Sequence, residues 1–176
     1  MSQDLLDRVA MRGNTAKYFD FFSNRCEGKK VCGEITPTYS LLHAEHFQKI
    51  RQAHPDVRPI FIMREPVDRY WSAMRMSERE GSTVNAIELA SRNLGNWQHI
   101  ARGRYDLTLK ALHAAFGEGG YLVLFYEELF QDSAIHEICD YLSIRYSGAD
   151  FTHRHNSSPS NDALPQELES QIYSVL

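Results

Sequence analysis

The chain has 176 residues, enough for one ordinary domain with a single substantial core, 1–176. Its 43% hydrophobic and 24% charged residues are those of a globular protein, and a net charge of −4 argues against broad nucleic-acid or membrane-surface binding. No apolar run has transmembrane length and the first 20 residues are charged throughout, so neither a spanning helix nor a secretion signal is expected.

Near the start, Tyr18, Phe19, Phe21 and Phe22 form an aromatic cluster of helical character. Residues 30–33 read as a short strand, stopped by Gly33 and then Pro37. Leu42, Phe47 and Ile50 give an apolar face to a helix over 41–53, which Pro55 ends. Pro59 to Met63 is a continuous apolar run of strand length, the pattern of a strand buried on both faces of a parallel sheet. Pro66 suits a first helical turn, where its missing N–H costs nothing. Helical patterns follow at 67–79 and 84–94.

After Arg102-Gly103-Arg104-Tyr105 comes a helix to about Phe116, stopped by Gly117, Gly119 and Gly120. Residues 121–125 form the second all-apolar strand, and a helix over 133–142 follows. Residues 145–165 are polar and irregular, and a last short helix closes the chain. Strands separated by helices imply crossover connections, hence an α/β fold with a parallel sheet flanked by helices. Cys26, Cys32 and Cys139 make an odd set without metal-type spacing. Reduced thiols and a cytoplasmic location are therefore expected.

Ligands of open α/β sheets sit beyond the carboxyl ends of the strands, where Arg64 falls. A guanidinium there can bind a phosphate through two parallel N–H···O bonds and keeps its charge when desolvated. Ser72 lies about two turns into the next helix, roughly 9 Å along its axis, within combined reach of the arginine and one phosphate. The competing reading pairs Arg64 with Glu65 or Asp68 and leaves Ser72 to fill a gap.

Arg64, Pro66, Arg69 and Ser72 form R-x-P-x-x-R-x-x-S. It resembles the 3′-phosphate segment of sulfotransferases that use 3′-phosphoadenosine-5′-phosphosulfate (PAPS). Three further pieces match in the family's order. Gly33 to Ser40 resembles its GE-x-TP-x-Y loop on the acceptor side of the cleft, 102–105 its RG-x-Y element, and 122–129 its strand ending in YE-(D/E)-L. The resemblance covers about residues 31–142.

It implies a fold related to P-loop nucleotide kinases and transfer of a sulfuryl group from PAPS to a hydroxyl or amine acceptor. The product is adenosine 3′,5′-bisphosphate (PAP), and no metal is involved. The acceptor is expected to be a carbohydrate or other small molecule; no nucleic-acid or membrane partner is expected, and the oligomeric state is open. By resemblance Arg64 and Ser72 hold the 3′-phosphate. Arg104 and Tyr105 face the nucleotide or else cap and pack their helix, and Arg154 belongs to a stretch where relatives carry a basic loop over the nucleotide. Glu34 and His43 are the candidate acids or bases by position. Trp71 and Trp97 read as core or cleft wall, and Tyr126 to Glu128 as ties between strand and helix.

The sequence departs from the family at its start. The strand and K-x-G-T-T loop that cradle the 5′-phosphosulfate have no counterpart, and residues 12–17 lack both the order and the preceding strand. The residues given are then an N-terminally incomplete domain or a degenerate relative. A non-catalytic relative that binds PAP or a partner protein is the alternative function.

Overall fold

Asn14 opens the first helix, α1 (Thr15–Cys26), because its side-chain oxygen accepts the Lys17 N–H at 3.0 Å and satisfies one open donor of the first turn. The structure, a computed structural model, describes residues 11, 13–153 and 163–176. After α1 the chain corrects two expectations. Cys26 and Cys32 form a disulfide, their Cα atoms 5.7 Å apart, and only Cys139 is free, buried beneath its helix. The end of α1 and a turn through Gly28 bring the two thiols together, a closure that spacing alone does not announce. Residues 31–36 are extended but unpaired, so the strand expected at 30–33 is absent.

A 3-10 turn, Pro37–Leu41, leads into α2 (Ala44–Ala53). Strand β1 (Ile60–Met63) follows, and Pro66 begins α3 (Pro66–Arg79), whose first turn is capped by the Glu65 carboxylate on the Asp68 N–H at 2.7 Å. Then come α4 (Ala86–Arg92), the short α5 (Trp97–Ala101) and α6 (Tyr105–Phe116). Strand β2 (Leu122–Phe125), a second 3-10 turn (Tyr126–Glu128), α7 (Asp132–Leu142) and α8 (Gln166–Val175) complete the described elements. Gly117 leaves α6 at φ 73°, and Gly120 then passes so close that an added Cβ would lie 2.2 Å from the Phe116 carbonyl oxygen.

β1 and β2 pair in parallel, Ile60 opposite Leu122 through Met63 opposite Phe125, with the helices α3 to α6 forming the crossover. Two cores flank this pair. In the first, Val67, Tyr70, Trp71 and Met74 of α3 pack against Ala86 and Ala90 of α4 and Leu168 and Ile172 of α8. Each such large side chain contributes about 1.5–3 kcal/mol on burial. Tyr70 is wholly buried, and its hydroxyl donates to the Ala90 carbonyl at 2.8 Å, so no polar atom is stranded there. In the second, Phe47 of α2 meets Ala111, Leu112, Ala115 and Phe116 of α6, with Phe61 of β1 against them.

The fold is α/β with a parallel sheet flanked by helices, as the alternation of apolar runs and helical patterns requires. The strands are less enclosed than their composition predicts: Ile62 is 44% and Phe125 52% exposed. Trp71 is core, whereas Trp97, read as core or cleft wall, is 65% exposed at the start of α5. Among the described residues no helix is long and apolar enough to cross a membrane.

Candidate active site at the ends of the two strands

Parallel pairing brings the carboxyl ends of β1 and β2 side by side, and the residues just beyond them lock together. Arg64 follows β1. The Tyr105 hydroxyl, from the first turn of α6, donates to the Arg64 carbonyl at 2.8 Å, and its ring meets Phe61 edge-on at 5.8 Å. Glu127, beyond β2, accepts the Glu65 N–H at 3.0 Å. That backbone bond, with one to its own N–H and the Arg64 charge, holds the Glu127 carboxyl below the usual carboxylate range. Burial pushes the Tyr105 hydroxyl up, so it stays a donor at neutral pH.

The Arg64 side chain has few ties of its own. Its guanidinium lies over the Tyr126 ring, 4.7 Å from the centroid, and its buried Nε has no hydrogen-bond partner. Among the described residues it makes no ion pair with Glu65 or Asp68, and the Glu65 carboxylate instead caps α3. A hollow of about 250 Å³ opens here between residues 63–66, Tyr105, Phe125 and Glu127. A half-buried guanidinium whose buried Nε is an unused donor beside a hollow is suited to an oxyanion. Ser72 is half-buried two helical turns beyond Glu65, hence on the same face of α3.

The remaining sequence candidates are placed as follows. Arg104 is exposed and grips Asp106 with two bonds, Nε to Oδ1 at 2.9 Å and a terminal N–H to Oδ2 at 3.0 Å. Glu34 is exposed, and its Oε1 accepts the Tyr18 hydroxyl at 3.0 Å and the Tyr39 hydroxyl. Burial and that carboxylate push Tyr39 up to about 12. His43 is exposed at the start of α2, its ring 6.2 Å from that of His46. Neither Glu34 nor His43 lines the hollow beside Arg64. Arg154 lies outside the described residues. Among the described residues no group of three or more His, Cys, Asp or Glu is arranged to hold a metal ion.

Two residues of the site carry no sequence signal by themselves. Glu127 reads as a local tie, yet it binds across to the end of β1. Thr108, one turn after Tyr105, donates to the Ser40 carbonyl at 2.8 Å and so fixes the 3-10 turn after Glu34 onto the helix that supports Arg64. A polar residue on an otherwise apolar helix face is the trace it leaves in the sequence.

No curated protein matches the chain. Among solved structures it is similar to a sulfotransferase from Alicyclobacillus acidocaldarius, with a TM-score of 0.61 and 19% identity over 84% of this chain. The chain spans 60% of that protein's length, and at this identity the likeness establishes the fold. The profile of the Sulfotransferase family matches residues 3–148, a span that takes in both strands, Arg64, Tyr105 and Glu127. The chain belongs to the sulfotransferase family.

Proposed function

We propose that the chain binds PAPS with its 3′-phosphate on Arg64 and Ser72 and takes part in sulfuryl transfer to a hydroxyl or amine of a carbohydrate or small molecule. The observation that carries this reading is the Arg64 guanidinium at the carboxyl end of β1, with its buried Nε unpartnered beside the hollow. PAPS, when bound, supplies the transferable sulfuryl group and leaves as PAP. The chain's own residues bind and orient. Tyr105 and Glu127 hold the backbone on either side of the Arg64–Glu65 peptide, so the guanidinium starts from a fixed root. Early N–H groups of α3 add a favourable field for an anion.

Arg104 and Arg154 are proposed as outer contacts to the nucleotide, Arg104 by exchanging Asp106 for it. Glu34 and His43 are proposed for the acceptor's proton. The 3-10 turn anchored by Thr108 keeps the Glu34 loop on the α6 side of the site.

The test is thermal unfolding with PAP and with AMP, which lacks the 3′-phosphate. Ligand at a hundred times its dissociation constant adds about 2.7 kcal/mol, or roughly 5–10 °C for a chain of this size. A shift with PAP and none with AMP is expected. Arg64→Ala is expected to weaken PAP by about 10- to 100-fold, the worth of a charge-assisted hydrogen bond, and to leave AMP nearly unchanged. Equal losses for both nucleotides would refute the assignment. Sulfate transfer by this chain would separate catalysis from a relative that only binds PAP.

A further inference from the structure

On the other side of Tyr105 stands a second group of cations. Arg69 leaves α3 one turn before Ser72, and its terminal N–H donates to the His99 carbonyl at 2.5 Å. Its guanidinium also lies against the Tyr105 hydroxyl and near Arg102. Gly103 lies beside this contact, where an added Cβ would come within 3.0 Å of Leu176 and 3.3 Å of the Ile100 carbonyl oxygen, with the Arg69 terminal nitrogen at an ordinary 3.7 Å. Three nitrogens here are buried without a hydrogen-bond partner: Arg69 Nε, Arg102 Nε and His99 Nδ1. Neither arginine forms an ion pair among the described residues.

Two half-buried guanidinium groups brought near each other without a carboxylate oppose folding, unless an anion completes them. Burial and the neighbouring Arg102 both push the Arg69 guanidinium down, and burial, Arg69 and Arg102 push His99 down, as expected of an uncompensated cationic group. The contrast within the molecule is informative. Exposed Arg104, two residues from Arg102, takes a carboxylate, while half-buried Arg69 and Arg102 take none among the described residues.

We infer that Arg69, Arg102 and His99 form a second oxyanion site, for a sulfate or phosphate group, between α3 and the turn that joins α5 to α6. This site does not depend on the reading of Arg64 as a 3′-phosphate clamp. The oxyanion belongs either to a nucleotide or to a separate anion, such as the charged group of an acceptor. The chemistry is the same for both: a tetrahedral oxyanion accepting N–H groups from two guanidinium planes.

The experiment titrates inorganic sulfate into the full chain and reads heat and unfolding temperature, with chloride at equal ionic strength as control. Wild type is expected to bind sulfate and to gain about 5 °C near saturation. Arg64→Ala is expected to retain this gain. Adding Arg102→Gln to Arg64→Ala, so that the hollow beside Arg64 no longer competes, is expected to abolish it, and Arg102→Gln alone is expected to unfold at a higher temperature than wild type when sulfate is absent, because the like-charge contact is gone. Arg102→Lys, which keeps the charge without the planar fork, is expected to bind sulfate about tenfold more weakly than wild type. Absence of sulfate binding by wild type would overturn the proposal without recourse to any variant. A gain in Arg64→Ala that survives the added Arg102→Gln, or loss of the whole gain in Arg64→Ala alone, would overturn it too.

Saturating PAP then separates the sources. Suppression of the sulfate heat assigns the oxyanion to the nucleotide, and persistence assigns it to a separate ligand. Failure of PAP to bind at all would sink the Arg64 reading and leave the sulfate result standing.

Discussion

The Tyr105 hydroxyl is the pivot of the site at the residue scale, because it touches both the Arg64 backbone and the Arg69 guanidinium. Tyr105→Phe keeps the ring against Phe61 but strands the Arg64 carbonyl. A cost of about 1 kcal/mol is expected. That is a fall of about 2–4 °C in unfolding temperature for a chain of this length. PAP affinity is expected to fall with it, since the root of Arg64 loosens, and calorimetry of the variant measures both. Glu127 supplies a pH signature. Its carboxyl lies below its unfolded value, so its stabilisation is present above the unfolded pKa and is lost as pH falls through the folded one. Unfolding temperature in wild type is therefore expected to drop more steeply than in Glu127→Gln below about pH 4, the usual carboxylate range.

At the scale of elements, the segment after α1 behaves as a tethered loop and not as a strand. The Cys26–Cys32 bond and the Tyr18 and Tyr39 hydroxyls on Glu34 hold it to α1 and to its own 3-10 turn. Closing so short a loop removes about 2 kcal/mol of unfolded-state freedom. Reduction, or Cys26→Ser, is expected to lower the unfolding temperature by about 4–8 °C. Equal unfolding temperatures with and without reductant would show that the tether contributes nothing. The elements that were legible in the sequence announced themselves locally. An apolar run closed by Arg64 and Pro66 marked β1 and the start of α3, and Gly117 to Gly120 marked the end of α6. What was not legible joins distant residues or is too short for periodicity. Glu65 meets Glu127 across 62 positions, and Arg64 meets Tyr105 across 41. The five residues of α5 give no repeat to read, and only the Asn96 side chain on the Gln98 N–H signals its start. The disulfide depends on where α1 ends, which composition does not set.

For the whole molecule, two cores flank a sheet of two described strands, and the site sits where both strands stop. The helices carry most of the buried apolar surface. Ile62 and Phe125, from runs that read as fully enclosed, stand half-open. Among the described residues each strand of the parallel pair has one partner, which leaves every second amide of a strand without a ladder bond there. The consequence is a reversal of the usual order of protection against hydrogen exchange. In an enclosed parallel sheet the strand amides exchange last, whereas here the slowest deuterium uptake is expected in α3 and α6, around Tyr70 and Leu112, with β1 and β2 exchanging sooner. Exchange mapped by mass spectrometry or NMR would show it, and strands slower than both helices would contradict the open sheet. On that expectation the strand ends at the candidate site are held in place by the helices beside them and not by the sheet.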